Sequence, residues 1–288
     1  MRGVTPEYEL ITPKNLKEAL STLDSEPDKW SVFAGGTDLM VFFESGDLPA
    51  GHWLNIWPFE ELRGIEVSED SVTLGGLTTY QELQDHPVVQ KEFPSLCHAA
   101  RLTGAMAIQN RGTLGGNIMN ASPAADSPPA LLAYDAEIEL IAKESSRWVK
   151  YCDFHLDYKK TLASPNEILS KIKLPRTKEA LLHYYRKVGT RNAQAISKVV
   201  FSGCAQKKGE ELKNVRIALG SVGPKVIRCL ETEKLIEGGQ LSQELIENAQ
   251  KKLCSEITPI DDIRSTCDYR LKVAQNLLGE WLNSCGTG

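Results

Sequence analysis

No two of the seven cysteines stand as C-x-x-C; Cys97, Cys152, Cys204, Cys229, Cys254, Cys267 and Cys285 are scattered along the chain. That spacing argues against a structural zinc site or an iron–sulfur cluster carried here. The odd count fits reduced, mostly structural thiols. Cys152 and His155 come nearest to a metal pair, and without a second pair they read as packing. There is no G-x-G-x-x-G, and no Gly-Lys-Ser/Thr follows a glycine loop, so the common nucleotide fingerprints are missing. No apolar run approaches membrane-spanning length. The opening MRGVTPEYELITPKN lacks the apolar stretch of a signal peptide, so the cytoplasm is the expected location. A formal charge of −5 argues against nucleic acid or an anionic membrane as partner. The five histidines, His52, His86, His98, His155 and His183, are isolated, and no nucleophile–base pair stands out.

What is present is an ordinary globular composition, 41% apolar and 25% charged over 288 residues, enough for two domains. The chain is organised around Arg111 to Asp126, RGTLGGNIMNASPAAD. Gly112, Gly115, Gly116 and the small residues around them predict a loop pressed against something, with hardly any regular helix or strand. Bare backbone there could present N–H groups to a phosphate. Ala34-Gly35-Gly36-Thr37-Asp38 is a second such loop. A tight turn without a ligand explains it about as well.

Along the chain, Glu9 to Ile11, Trp30 to Phe33 and His52 to Trp57 read as strands, and a capping-box pattern at Asn15–Glu18 opens a helix. This is a small βαβ-like unit. Gly64–Val67 and Ser71–Leu74 read as a hairpin, followed by helices to His86 and over Val88–Leu102, the latter interrupted near Pro94. Ala136–Ala142, Arg147–Tyr151 and Glu167–Leu174 read as strands closed by Pro175. Beyond it, Leu181–Val188, Ile196–Ala205 and Val215–Ser221 predict three long strands, with helices over Lys225–Glu237, Ser242–Lys252 and from Ser265 onward. Strands followed by helices predict an α+β arrangement. The remaining inventory is two glycine loops, Asp126, and Lys187 with Arg191. It suits holding a large phosphorylated cofactor better than hydrolysis.

Three strings carry a resemblance: AGGTDL (Ala34 to Leu39), RGTLGGNIMNASPAADSPPALLA (Arg111 to Ala133) and KVGTRNAQAIS (Lys187 to Ser197). They resemble the FAD-binding medium subunit of the molybdenum hydroxylases, a family that includes xanthine dehydrogenase and carbon monoxide dehydrogenase. The likeness covers nearly the whole chain. It implies a vanillyl-alcohol-oxidase (PCMH-type) FAD-binding fold over 1–175, in subdomains of about 1–58 and 59–175. A C-terminal α/β domain of a three-stranded sheet with packed helices would follow over 176–288. By that resemblance Ala34, Gly35, Gly36, Thr37, Asp38 and Leu39 wrap the FAD pyrophosphate. Thr113, Gly115, Gly116 and Asn117 form a second wall, and Asp126 accepts hydrogen bonds from sugar or ribityl hydroxyls. Leu169 packs near the adenine or flavin, and Lys187 lies by the isoalloxazine.

On the same grounds the partners are a molybdopterin-binding large subunit and a 2Fe–2S small subunit. FAD passes electrons to an acceptor such as NAD, a quinone or oxygen. Where many relatives carry an acid, this chain has Ala195. Two other readings stand beside this one: a free-standing FAD oxidoreductase of the same fold, and a flavin-free assembly module. Arg111 has no assigned role.

Overall fold

The computed structural model describes residues 7–192 and 194–286. The start of the N-terminal segment read as lacking a leader, 1–6, lies outside them. The first unit is the expected βαβ layer: β1 (Tyr8–Ile11), α1 (Leu16–Ser25), β2 (Trp30–Phe33), α2 (Leu39–Ser45) and β3 (Gly51–Asn55). Its three strands are parallel, in the order β1-β3-β2. Asn15 caps α1 by accepting from the Glu18 N–H at 2.9 Å. The return half of the capping box is displaced, because the Glu18 carboxylate takes the Lys14 N–H. Ala19, Leu20 and Leu23 then pack one face of α1 onto Trp30 and Leu54.

The hairpin follows as β4 (Ile65–Val67) and β5 (Ser71–Gly75), then α3 (Tyr80–Asp85), α4 (Pro87–Glu92), α5 (Pro94–Leu102) and α6 (Met106–Gln109). Pro87 and Pro94 each sit in a first helical turn, where a missing N–H costs nothing, so the predicted interruption becomes two helices. α7 (Leu114–Met119), α8 (Ser127–Ala133), β6 (Glu137–Ile141), β7 (Ser146–Lys150), β8 (His155–Asp157), β9 (Lys160–Thr161) and β10 (Ile168–Pro175) complete this part. The sheet is antiparallel, ordered β4-β5-β10-β6-β7. α7 corrects the loop reading of Arg111–Asp126. Its glycines are there for close packing, and tertiary hydrogen bonds hold the turn helical.

The last part holds β11 (Leu182–Val188), β12 (Val199–Lys208), β13 (Glu211–Gly220), β14 (Ile227–Arg228), α9 (Leu230–Ile236), α10 (Gln243–Glu256) and α11 (Cys267–Gly286). Its sheet has four strands, not three. Ile227–Arg228, read as the start of a helix, pairs with Ala218 and Leu219 instead, and α9 begins only at Leu230. Trp281, Phe201, Leu253 and Leu278 build the core between this sheet and its helices. On its other side, Val200, Cys204 and Ala218 join the same core as α8 and the antiparallel sheet.

Candidate functional site

The two glycine segments meet. A Cβ placed on Gly35 would lie 1.9 Å from the Arg111 carbonyl oxygen, and one on Gly116 would lie 3.9 Å from the Ala34 Cβ. Gly36 has φ +74°, and a Cβ there would strike the Phe33 ring at 2.5 Å, so this turn needs glycine on both counts. Gly35, Gly36, Thr37 and Asp38 have no acceptor for their N–H groups among the described residues. Asp38 precedes α2 but makes no side-chain cap bond.

The second segment is spent differently. The Gly115 N–H donates to the Gly76 carbonyl at 2.9 Å and the Leu114 N–H to Thr78 at 2.9 Å. The Gly116 N–H donates to Thr113 Oγ1 at 3.1 Å, and the Asn117 N–H to the Thr113 carbonyl. Gly76 in turn donates to Ser170 at 2.7 Å. Three backbones therefore stack with no side chain between them: a Cβ on Gly115 would meet the Gly76 oxygen at 2.5 Å, and one on Gly76 the Leu169 oxygen at 2.3 Å. Gly115 thus fastens the wall, and Gly116 forms its surface. Asn117 offers a side chain, since its Oδ1 is buried without a partner. Leu169, at a bulge of β10, is buried in the core behind this wall.

Asp126 and Lys187 are brought together. Lys187 Nζ, on β11, is 2.6 Å from Asp126 Oδ2, and both side chains are buried. Lys187 also donates to the Leu102 carbonyl at 3.0 Å, and Ser197 Oγ donates to Asp126 Oδ1 at 2.6 Å. Burial pushes the Asp126 carboxyl up from its ordinary value, against the pull of Lys187, Ser197 and Thr103. The Tyr80 ring packs where a Gly112 Cβ would sit. Burial raises the phenol's pKa, and the charges of Asp126 and Asp38 raise it further. Both carboxylates therefore act on one side chain beside the wall.

Arg111 holds its guanidinium 3.8 Å from the centre of the Trp57 indole, which Arg63 also approaches at 4.4 Å. Cys152 is exposed, while His155 is buried with Nε2 2.9 Å from the Ile118 carbonyl, so the two do not form a ligand pair. Among the described residues no group of His, Cys, Asp and Glu could hold a metal ion, and no helix is long and apolar enough to cross a membrane.

Residues 6–177 match the model of the FAD-binding domain in molybdopterin dehydrogenases, and 183–285 that of the carbon monoxide dehydrogenase flavoprotein C-terminal domain. The chain belongs to the FAD-binding medium-subunit family of the molybdenum hydroxylases. It is 32% identical to the glyceraldehyde dehydrogenase medium chain of Sulfolobus acidocaldarius, over 94% of this chain and 96% of that one. It is 29% identical to a putative xanthine dehydrogenase FAD-binding subunit of Escherichia coli, over 91% and 90%. Carbon monoxide dehydrogenase from Hydrogenophaga pseudoflava superposes with a TM-score of 0.93 at 27% identity, covering 98% of both chains.

FAD is the cofactor of this medium subunit, and the chain is an FAD-dependent oxidoreductase subunit of the xanthine and carbon monoxide dehydrogenase type. The residues present fit the group: unclaimed amides on Gly35–Asp38, a gap that a Cβ on Gly116 would narrow, and the orphaned Asn117 Oδ1. The sequence did not point to Ser197, Thr103, Tyr80 or Gly76. Gly76 directly follows β5, and only the fold shows what it abuts. Ser197 lies 71 residues from Asp126, and no spacing rule links them.

Proposed function

We propose that this chain is the electron-transfer subunit of a molybdenum-containing hydroxylase or dehydrogenase. It works beside a molybdopterin-binding large subunit and a 2Fe–2S small subunit and serves an acceptor such as NAD. FAD, when bound, supplies a carrier able to take up electrons singly and give them up in pairs. Residues 1–175 form the cofactor domain and 176–288 the C-terminal domain.

The observation that carries the reading is the row of unclaimed N–H groups on Gly35–Asp38, beside a wall whose Leu114 to Asn117 amides are used up. Amides with no internal acceptor are donors for an anionic ligand, and the FAD pyrophosphate is one. Ala34 to Leu39 bind the pyrophosphate. Thr113 and Gly115 hold the wall in place, and Gly116 and Asn117 present it. Leu169 fixes the strand behind. Asp126 and Lys187 act as one pair at the far side, where the lysine's charge is offered to the isoalloxazine and the carboxylate to hydroxyl donors. The seven free cysteines support the cytoplasm as location.

The purified chain should take up FAD and turn yellow. A chain that stays colourless after FAD reconstitution would overturn the cofactor reading. The partner assignment is tested by co-expression with neighbouring large-subunit and cluster-subunit genes. Failure of a ternary complex to form would sink it.

A further inference from the structure

We propose that Ser197 is a positioning residue for the FAD site, fixing the Asp126 carboxylate and, through it, the direction of Lys187 Nζ beside the cofactor. The inference rests on the FAD reading and goes beyond it, because the resemblance assigns no role to this serine, the last residue of the third string.

Ser197 precedes β12 and is 1% exposed. Its hydroxyl donates to Asp126 Oδ1 at 2.6 Å, while Lys187 Nζ takes Oδ2 at 2.6 Å. The two oxygens are thus held from opposite ends. Thr103 Oγ1 comes within 3.4 Å of Oδ2, but its proton is directed to the Ala99 carbonyl at 2.8 Å, so it adds little. Below the carboxyl, Tyr185 donates to the Asp126 backbone carbonyl at 3.0 Å. Ser197 is itself anchored, since Ser221 Oγ donates to its carbonyl at 3.1 Å. The acid comes from the segment before α8, while the lysine and serine come from β11 and the approach to β12. The cluster therefore ties the cofactor-domain motif to the C-terminal sheet.

An aspartate this buried favours its neutral form, and burial is the largest influence on it. Two charge-assisted hydrogen bonds oppose that. Lys187 uses two of its three N–H donors, on Asp126 and Leu102, which leaves one to point elsewhere. If Asp126 were neutral or rotated, Lys187 would lose its counter-charge and its fixed direction together. The other titratable groups facing Asp126 are Tyr80 on α3 and Tyr185 on β11, both kept protonated by burial. Ser197 is then a neutral donor that favours the carboxylate against burial without adding charge.

The test uses the full chain, with FAD binding followed by flavin fluorescence across pH, and the flavin midpoint potential measured on the same samples. Ser197→Ala should weaken FAD binding about tenfold near neutral pH. It should also move the acid limb of the affinity profile to higher pH, because a carboxylate stripped of a donor protonates sooner. The flavin potential should fall, since a less firmly held cation favours the reduced ring less. Ser197→Cys, nearly isosteric with a weaker donor, should fall between the two, and it is read in place of Ser197→Ala if that variant does not fold. In a Lys187→Met background the serine substitution should change the potential no further. A Ser197→Ala chain whose pH profile and potential match the parent would overturn the role of Ser197. A parent chain that binds no FAD would instead overturn the flavin reading itself.

Discussion

Gly35 and Gly116 look alike in the sequence, and the structure gives them different duties. At Gly35 an added methyl would fall 1.9 Å from a backbone oxygen that has nowhere to go. Gly35→Ala should cost about 3 kcal/mol of stability, read as a lower urea midpoint. At Gly116 the nearest obstacle is Thr113 Oγ1 at 2.8 Å, and the far side opens toward Ala34. Gly116→Val should therefore cost about 1 kcal/mol through the disturbed Thr113 cap, less than Gly35→Ala, yet reduce FAD affinity about tenfold or more. Parallel unfolding curves and FAD titrations separate the two effects; unchanged FAD affinity in Gly116→Val would remove Gly116 from the cofactor wall. The residue scale is also where sequence reading stopped short. The motif marked Asp126 and Lys187 as separate contacts, whereas they form one buried ion pair with Ser197 on its other side.

Among the elements, α7 shows what local rules miss. Two adjacent glycines cost about 1 kcal/mol each in a helix, so Leu114–Met119 reads as a loop. It is helical because Thr113 caps it, and because Leu114 and Gly115 donate to Thr78 and Gly76 across the fold. Removing the cap hydroxyl by Thr113→Ala should cost about 1 kcal/mol, while Thr113→Ser keeps it. Thermal unfolding of both variants checks this, and equal losses in the two would mean the hydroxyl does not cap. Elsewhere local signals sufficed. The alternation in Gly64–Val67 and Ser71–Leu74 gave the hairpin of β4 and β5, and Pro94, read as an interruption, marks the start of α5. β14 escaped because a two-residue strand has no period to detect.

Partly exposed charges bridge the seam between the end of α8 and the C-terminal sheet, beside the apolar core the two share. Asp135, in the left-handed conformation at φ 50°, pairs with both Arg216 and Arg228, and Arg228 also grips Glu233. Titration reads the packed state globally. Burial lowers the pKa of His98, His155 and His183 below the ordinary 6.5. The unfolded chain then takes up protons first as pH falls. The stability from keeping these rings neutral is complete above about 6.5 and is lost as pH drops through the folded values. Asp126, whose pKa is raised, pulls the other way, so the clean observable is a difference. Between about pH 7.5 and 5.5, His155→Gln should show a shallower pH dependence of the melting temperature than the parent. Identical slopes would mean that His155 is not kept neutral by the fold. Asp262, held at about 2 by backbone N–H groups and Arg270 despite burial, titrates too low to interfere.

The sequence alone determined the order of most elements, the two glycine segments, the family and its cofactor. Glycine spacing, proline position and apolar period are local, and they survive without a fold. Only the tertiary structure decided which amides are free for a ligand and which are consumed by the wall. It also decided that Arg111 stacks on Trp57, and that Ser197 completes the Asp126–Lys187 pair. Those facts depend on backbones and side chains far apart along the chain, where contact is set by packing and no residue pattern records it.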